Sequence, residues 1–212
     1  MAEFVLAIDG PAGSGKSSVS KEVARRLGFG YLDTGAGYRA FALHKLANPD
    51  QSTSELLDSF DYEISLDPDA PKVLLAGADV TGEIRTERAA AAVSEVARVP
   101  EVRQAQLAGA RARALGCPKP GIVVEGRDIT TVVAPDAALR ILLTASEAVR
   151  LARRGLENSE SAENLKARDA SDSKVVEFMT AAEGVYLVDT TDLDFESSVA
   201  EVLRLVEVVK HG

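Results

Sequence analysis

The sequence is poor in cysteine, aromatic residues and long apolar runs. It contains one cysteine, Cys117, and no tryptophan in 212 residues, and aromatic residues make up 5% of the chain. A single cysteine excludes an internal disulfide and is typical of a protein from a reducing compartment. No apolar run approaches about 18 residues, the length that crosses a bilayer as a helix. We therefore expect neither a disulfide scaffold nor a membrane-spanning protein.

Positive charge is also scarce. The chain has 24 Lys and Arg residues against 33 Asp and Glu residues, a net charge of -9. A nucleic-acid-binding face needs a basic field, so we expect no nucleic-acid partner. An anionic substrate must instead be bound by a local group of cations. The chain begins with Met1 and enters a strand pattern without the basic and apolar segments of a signal peptide, so we expect a cytoplasmic protein.

Five short apolar segments alternate with segments of helical periodicity. They are Phe4–Ile8, Phe29–Leu32, Ile122–Val124, Leu139–Leu143 and Val185–Val188. Buried strands that alternate with helices predict an α/β fold, with a five-stranded parallel sheet wrapped by helices. Ligands of such folds bind at the carboxyl ends of the strands.

The pattern predicts a single domain over residues 1–212 with two insertions. The first runs from about residue 35 to 115 and includes a small β-rich piece at residues 62–80. The second, from about residue 154 to 175, is short, polar and poor in apolar residues. We expect it to act as a lid, because mobile polar segments of this kind can close over a bound substrate to exclude water.

The residues from Gly10 to Ser17 match the P-loop pattern G-x-x-x-x-G-K-[ST] at every fixed position. Such a loop directs backbone N–H groups at a polyphosphate, and its glycines permit the required backbone angles. Lys16 would reach the β- and γ-phosphates, and the Ser17 hydroxyl would bind Mg²⁺. A glycine-rich turn without a ligand is disfavoured, because the motif follows a buried strand and opens an amphipathic helix. The predicted ATP-binding residues are Gly10, Pro11, Ala12, Gly13, Ser14, Gly15, Lys16, Ser17 and Ser18.

Other motifs narrow the class of P-loop protein. The N-K-x-D segment with which GTPases recognise guanine is missing from the sequence, and the D-x-x-G match at residues 79–82 falls in the β-rich piece. The length of the chain, its two insertions and its scattered arginines favour a kinase that acts on a small molecule.

Several segments resemble those of bacterial cytidylate kinases in order and approximate spacing. They are Ala7–Ser17, Leu32–Gly35 followed by Tyr38 and Arg39, Gly82–Thr86, Pro100–Arg103 and Glu125–Asp128. The resemblance implies the fold of P-loop nucleoside monophosphate kinases, with residues 35–115 as the acceptor-binding insertion. It also implies transfer of the γ-phosphoryl group of Mg·ATP to CMP and dCMP in pyrimidine nucleotide metabolism, with Mg²⁺ as the cofactor. Separately, we expect a monomer.

The same resemblance assigns roles to individual residues. The implied CMP-binding residues are Thr34, Tyr38, Arg39, Ser94, Arg103, Gly126, Arg127, Asp128 and Asp172. The implied catalytic residues are Lys16, Arg127, Arg153, Arg154 and Arg168. The chemistry of cytosine agrees, since its exocyclic amine suits the Asp128 carboxylate and its acceptor atoms suit Arg103. Glu125 either binds Mg²⁺ through water or simply faces solvent, and Arg150 is interpreted as a solvated surface residue.

The sequence departs from the family pattern in the predicted lid, where Lys174 is the only cation that closely follows Arg168. This departure keeps two alternatives open. One is a P-loop kinase with another small acceptor, such as UMP or a metabolite. The other is a nucleotide-binding regulator with weak catalysis.

Overall fold

The apolar run near the start of the chain forms the central strand of a parallel sheet. The structure, a computed structural model, describes residues 2–157 and 180–211, without the side chains of residues 154–157. The strands of the main sheet are β1 (Phe4–Asp9), β2 (Gly30–Asp33), β6 (Gly121–Gly126), β7 (Leu139–Thr144) and β8 (Tyr186–Asp189). Three shorter strands, β3 (Tyr62–Ile64), β4 (Val73–Leu75) and β5 (Ala78–Asp79), form a separate antiparallel sheet.

The main sheet has the order β2-β6-β1-β7-β8, with every pair parallel. The prediction of a five-stranded parallel sheet is therefore confirmed. The strand bounds differ slightly, since the second strand begins at Gly30 rather than Phe29 and extends to Asp33. The register pairs Asp9 with Gly126 and Asp33 with Glu125, so the carboxyl ends of β1, β2 and β6 lie side by side.

Helices connect the strands and cover both faces of the sheet. They are α1 (Lys16–Leu27), α2 (Thr34–Ala47), α3 (Thr53–Asp58), α4 (Glu87–Val96), α5 (Pro100–Leu115), α6 (Glu147–Glu157) and α7 (Phe195–His211). Local sequence explains several helix starts: the Asp33 carboxylate caps α2 by accepting from the Ala36 N–H, and Ser52 with Glu55 forms the capping box of α3. Within the described residues, no helix combines the length and apolar character needed to cross a membrane.

The core has two layers, because parallel strands are buried on both faces. On one face, Leu6, Ile8 and Ile141 pack with buried valines of α1 and α7. On the other face, Ala7 and Val124 pack with buried alanines of α5 and with Ile129. The sheet is thus held rigidly from both sides, which fixes the carboxyl ends of its strands.

The small antiparallel sheet coincides with the β-rich piece expected at residues 62–80. It packs through Val73 against α2 and against Ile84 of a short 3-10 helix, Glu83–Arg85. The Arg113 guanidinium of α5 lies 4.6 Å from the centre of the Tyr62 ring, and its Nη2 donates to the Tyr62 carbonyl. The piece therefore braces α2 and α5, two helices of the predicted acceptor-binding insertion.

Candidate active site

The predicted P-loop connects the end of β1 to the start of α1. Gly13 and Gly15 have φ angles of 77° and 85°, a left-handed conformation that favours glycine. A Cβ atom at Gly13 would lie 2.6 Å from the Arg150 carbonyl oxygen, so α6 packs too closely for any side chain there. Lys16 is half-buried where α1 begins, and Ser17 and Ser18 are exposed.

Three arginines hold alternate carbonyl groups of this loop. Arg127 Nη1 donates to the Gly10 oxygen (2.9 Å), Arg150 Nη1 to the Ala12 oxygen (3.0 Å) and Arg153 Nη1 to the Ser14 oxygen (3.2 Å). Because a trans peptide is planar, a carbonyl and the N–H of the following residue point in opposite directions. Holding the Ala12 and Ser14 oxygens on the arginine side therefore turns the N–H groups of Gly13 and Gly15 the other way.

The interpretation of Arg150 as a solvated surface residue was wrong. Arg150 is 7% exposed, and its guanidinium lies against the P-loop, where the Ala12 carbonyl accepts its hydrogen bond. The helical pattern alone places Arg150 on a polar stretch of α6. It does not reveal that this face of the helix packs on a loop rich in outward-pointing carbonyl groups.

Arg153 also contacts the protein rather than solvent. Besides the Ser14 oxygen, it donates to the Thr190 hydroxyl (2.9 Å), the Thr190 carbonyl (2.8 Å) and the Leu193 carbonyl (3.2 Å). It thereby joins the P-loop to the segment between β8 and α7. Its predicted catalytic role stays a prediction.

Glu125 is buried near the end of β6 and paired with Lys16. It is 1% exposed, and its carboxylate accepts from Lys16 Nζ (2.7 Å) and from the Tyr31 hydroxyl (2.5 Å). The alternative that Glu125 faces solvent is wrong. Burial and the nearby Glu125 charge raise the pKa of Tyr31 well above its usual value, so its hydroxyl remains a donor at neutral pH.

Asp33 lies next to Glu125 in the sheet register and pairs with Arg39 of α2. Arg39 Nη1 donates to Asp33 Oδ2 over 3.3 Å. Burial alone would raise the pKa of Asp33, but the positive charges of Arg39, Lys16 and Arg85 outweigh it and hold that pKa below its usual value. The ends of β2 and β6 thus carry two buried carboxylates balanced by cations that were predicted to bind phosphates.

The predicted cytosine-binding residues Arg103 and Asp128 are bonded to each other. Arg103 Nη2 of α5 donates to Asp128 Oδ2 over 2.6 Å. Tyr38 of α2 lies near this pair: burial and the Asp128 charge together raise the pKa of Tyr38 to about 12, against the opposing charge of Arg103. Three residues that are distant in sequence therefore converge beside the end of β6.

The other predicted acceptor residues surround the same strand end. The Thr34 hydroxyl donates to the Glu125 carbonyl (2.8 Å), and a Cβ atom at Gly126 would lie 2.5 Å from Thr34 Oγ1. Gly126 therefore leaves the space that Thr34 occupies. Ser94 is half-buried on α4. Arg168 and Asp172, with the side chain of Arg154, lie outside the described residues, as does most of the predicted lid.

Sequence reasoning missed four residues that shape this site: Asp9, Tyr31, Asp33 and Arg150. Asp9 and Asp33 could have been found, because each carboxylate ends a buried strand at the ligand-binding edge of the sheet. Tyr31 and Arg150 carried no comparable signal. Their partners, Glu125 and Ala12, are 94 and 138 positions away in the sequence.

A family model described as cytidylate kinase matches residues 6–208 of the chain. The chain belongs to the cytidylate kinase family, a group of phosphotransferases. This confirms the family inferred from the P-loop and the Gly-Arg-Asp segment at residues 126–128. Among its relatives, the "Cytidylate kinase" of Cutibacterium acnes is 43% identical, with 97% of this chain and 96% of that protein covered.

Other comparisons agree with this cytidylate kinase family assignment. The "Cytidylate kinase" of Mycobacterium leprae is 40% identical over 98% of this chain and 97% of that protein. Among solved structures, a gluconokinase from Sinorhizobium meliloti matches with a TM-score of 0.53 at 14% identity, covering 98% of this chain and 95% of that one. A likeness at that identity supports the fold, which is that of small P-loop kinases.

Proposed function

We propose that this protein transfers the γ-phosphoryl group of ATP to CMP and dCMP, giving ADP with CDP or dCDP. The observation that carries the proposal is the Arg103–Asp128 pair, which lies one strand away from the P-loop. The cytidylate kinase names of the relatives support the same acceptor. We propose further that residues 35–115 form the acceptor-binding part of the molecule.

The Arg103–Asp128 pair has the hydrogen-bonding polarity that cytosine requires. The Asp128 carboxylate accepts from an exocyclic amine, and the Arg103 guanidinium donates to the ring nitrogen and carbonyl. Uracil presents a carbonyl in place of the amine and would face Asp128 acceptor to acceptor. Leaving a buried polar group unpaired costs enough free energy to discriminate between the two bases.

On the donor side, the backbone N–H groups of Gly13 and Gly15 and the Lys16 ammonium would hold the triphosphate. The positive end of the α1 dipole adds to this attraction. Lys16 bonds Glu125 in the structure, so a bound triphosphate would compete with that carboxylate for the ammonium.

Mg²⁺ fits the residues at this site. The Ser17 hydroxyl would bind the ion directly and the Glu125 carboxylate would bind it through water, since Mg²⁺ commonly keeps several waters and takes one or two protein oxygens together with substrate phosphates. In the described part of the chain, no cluster of three or more His, Cys, Asp or Glu side chains could hold a metal on its own. When bound, the ion would neutralise charge between the β- and γ-phosphates.

On the acceptor side, Arg39 and Arg127 would bind the α-phosphate of the monophosphate. Each has a protein partner in the structure, Asp33 for Arg39 and the Gly10 carbonyl for Arg127. Phosphoryl transfer needs positioning and charge stabilisation more than proton transfer. These side chains supply both once the phosphates take their place beside them.

The proposal extends to a cytoplasmic monomer that serves pyrimidine nucleotide metabolism. The chain has a single cysteine, Cys117, and so no internal disulfide, which is typical of a reducing compartment. Light scattering during size-exclusion chromatography tests the monomer, with a mass near 22.4 kDa expected.

The function is tested by measuring ADP release from Mg·ATP with CMP, dCMP, UMP and AMP as acceptors, with and without EDTA. We expect the fastest turnover with CMP or dCMP and its loss when the metal is removed. Faster turnover with UMP or AMP would contradict the proposed acceptor. Tight ATP binding without turnover of any acceptor would favour a nucleotide-binding regulator.

A further inference from the structure

Asp9, the last residue of β1, bonds a turn that follows β6. Asp9 is 3% exposed, and its carboxylate accepts three hydrogen bonds. Oδ1 accepts from the Ile129 N–H (2.8 Å), and Oδ2 accepts from the Thr130 N–H (2.8 Å) and the Thr130 hydroxyl (2.6 Å). All three distances are short for hydrogen bonds, so the turn is tightly fixed to β1.

The turn immediately follows Asp128. It is a π-helical segment, Ile129–Val133, and the N–H groups of Val132 and Val133 donate to the Asp128 carbonyl (2.9 and 3.0 Å). On the far side, the Arg111 guanidinium of α5 donates to the Val132 and Val133 carbonyls (2.7 and 2.8 Å). Asp9 therefore holds the start of the turn while Arg111 holds its end.

A second contact links the same two strands. Arg127, which precedes Asp128, donates to the carbonyl of Gly10, which follows Asp9. The Arg127 side chain and the Ile129 N–H, on either side of Asp128, thus both bond the junction of β1 and the P-loop. Burial raises the pKa of Asp9, the turn's donors oppose the rise, and the Asp128 charge adds to it, which agrees with the two carboxylates lying close together.

We propose that Asp9 is a positioning residue for acceptor recognition, which acts by fixing the backbone that presents Asp128 and Arg127. The inference rests on the proposed function, because it assumes that Asp128 reads the base. Asp9 is the last residue of β1, the strand that leads into the P-loop, yet its side chain orients acceptor residues. Its loss should therefore impair acceptor selection more than ATP binding.

Asp9→Asn is the sharpest single change because it keeps the shape of the side chain. An amide has one acceptor oxygen, so its NH₂ group must face the N–H of Ile129 or Thr130, donor against donor. We expect the KM for CMP to rise about tenfold or more and the preference for CMP over UMP to fall by a similar factor, while the KM for ATP changes less than about threefold.

Substitutions at Thr130 test the same contact from the other partner. Thr130→Ser keeps the hydroxyl donor and should retain the preference for CMP over UMP. Thr130→Val removes only that donor, so its loss of preference should lie between those of the wild type and Asp9→Asn. This graded series remains informative even where Asp9→Asn fails to fold.

Val202→Ala serves as the control for lost stability, because Val202 is buried on α7 against the opposite face of the sheet. It should lower Tm without changing the preference for CMP over UMP. If Asp9→Asn and Thr130→Val also lower Tm without changing the preference for CMP over UMP, Asp9 is only structural and the inference is overturned. Equal rises in the KM for CMP and the KM for ATP would overturn it as well.

The failure of the proposed function would be recognised separately, from the wild-type enzyme alone. If the wild type prefers another monophosphate, the acceptor assignment fails. The ratio of the KM for that acceptor to the KM for ATP then still tests Asp9. A ratio that Asp9→Asn leaves unchanged would overturn the inference whichever acceptor is used.

Discussion

The donor side and the acceptor side of the site are organised differently. On the donor side, which comprises the P-loop and α1, arginines from other parts of the chain hold the Gly10, Ala12 and Ser14 carbonyls. On the acceptor side, around the ends of β2 and β6, cations are paired with neighbouring carboxylates, Arg39 with Asp33 and Arg103 with Asp128. The loop is therefore preorganised for its ligand, whereas Arg39 and Arg103 on the acceptor side are satisfied by neighbouring carboxylates.

This difference suits the two tasks. A preorganised array of N–H groups needs no rearrangement when charge develops on a phosphate, which favours catalysis. Paired groups can exchange an internal partner for a substrate only where the substrate replaces every lost bond. An acceptor that fails to do so leaves a buried polar group unpaired, which favours specificity.

Lys16 is the strongest test of this comparison. It belongs to the donor side, yet it is paired with a carboxylate, Glu125, in the way that the acceptor-side arginines are. Lys16→Met should lower kcat by about a hundred- to a thousandfold, since a transition-state contact is removed. It should also lower Tm, because Glu125 loses the cation that balances its buried charge. Coupled ADP-release assays and thermal unfolding measure the two effects.

The double variant Lys16→Met/Glu125→Gln separates these effects, and it should recover Tm without recovering kcat. Lys21→Met, on the same helix α1, is the matched control and should retain activity within about twofold. Activity of Lys16→Met above a tenth of the wild-type value would contradict a role in transfer.

Asp128→Ala should affect the acceptor side alone. We expect the KM for CMP to rise about a hundredfold and the KM for ATP less than about threefold, because a charged hydrogen-bond acceptor is lost beside the base. Initial rates with each substrate varied in turn provide the measurement.

Arg103→Met and the double variant complete a thermodynamic cycle for this pair. Since Arg103 and Asp128 are bonded, their effects should be markedly less than additive. Equal damage to CMP and ATP use by Asp128→Ala would show that the carboxylate is not an acceptor contact.

Arg150→Met should affect the donor side, with a rise in the KM for ATP that is smaller than the rise in the KM for CMP expected of Asp128→Ala. It removes the donor to the Ala12 carbonyl while keeping an apolar stem, so the Gly13 N–H is less firmly directed. The KM for ATP should rise about tenfold, with the KM for CMP within about twofold of the wild type.

Arg204→Met is the control for Arg150→Met, because Arg204 forms an exposed ion pair with Glu201 on α7, and such pairs contribute little. An unchanged KM for ATP in Arg150→Met would show that this contact does not orient the loop. A larger rise in the KM for CMP than in the KM for ATP would contradict the assignment of Arg150 to the donor side.

The smallest effect is expected from Asp33→Asn and depends on pH. The pKa of Asp33 lies below 3.8 in the folded protein, so its charge stabilises the fold above that pH, and the stabilisation is lost as pH falls through the folded pKa. The wild type should therefore have the higher Tm near pH 7, and the gap should shrink below pH 3.8.

Thermal unfolding between about pH 3 and 7 tests this sign, across the range in which carboxylates titrate. The asparagine oxygen can still accept from the Ala36 N–H, so the cap of α2 is kept. Asp136→Asn, at an exposed position, is the control. A gap that stays constant with pH would contradict the charge pairing of Asp33 with Arg39.

The sequence predicted features that depend on neighbouring residues. The strand, the loop and the helix that build the P-loop are continuous from Phe4 to Leu27, so a local motif identified them. The five-stranded sheet followed from the alternation of apolar runs with helical segments. Element ends moved by a residue or two because propensity does not specify where hydrogen bonding stops.

Pairings across the fold could not be predicted in the same way. Arg103 and Asp128 were each expected near cytosine, but nothing in either segment indicates that they bond each other. Arg150 was misinterpreted because periodicity identifies the polar face of a helix without identifying what packs on that face. Charge partners in this site depend on the sheet order, which brings the ends of β1, β2 and β6 together.

The packing of Cys117, the only thiol of the chain, makes its labelling rate a measure of motion at the acceptor side. The thiol is inaccessible, and a Cβ atom at Gly30 of β2 would lie 2.6 Å from its Sγ atom. A thiol-reactive dye can therefore label the protein only when the packing around that sulfur opens, and movement of β2 is one such opening. Because β2 ends at Asp33, comparing labelling rates with and without CMP would measure how much a bound acceptor slows the opening of this edge of the sheet.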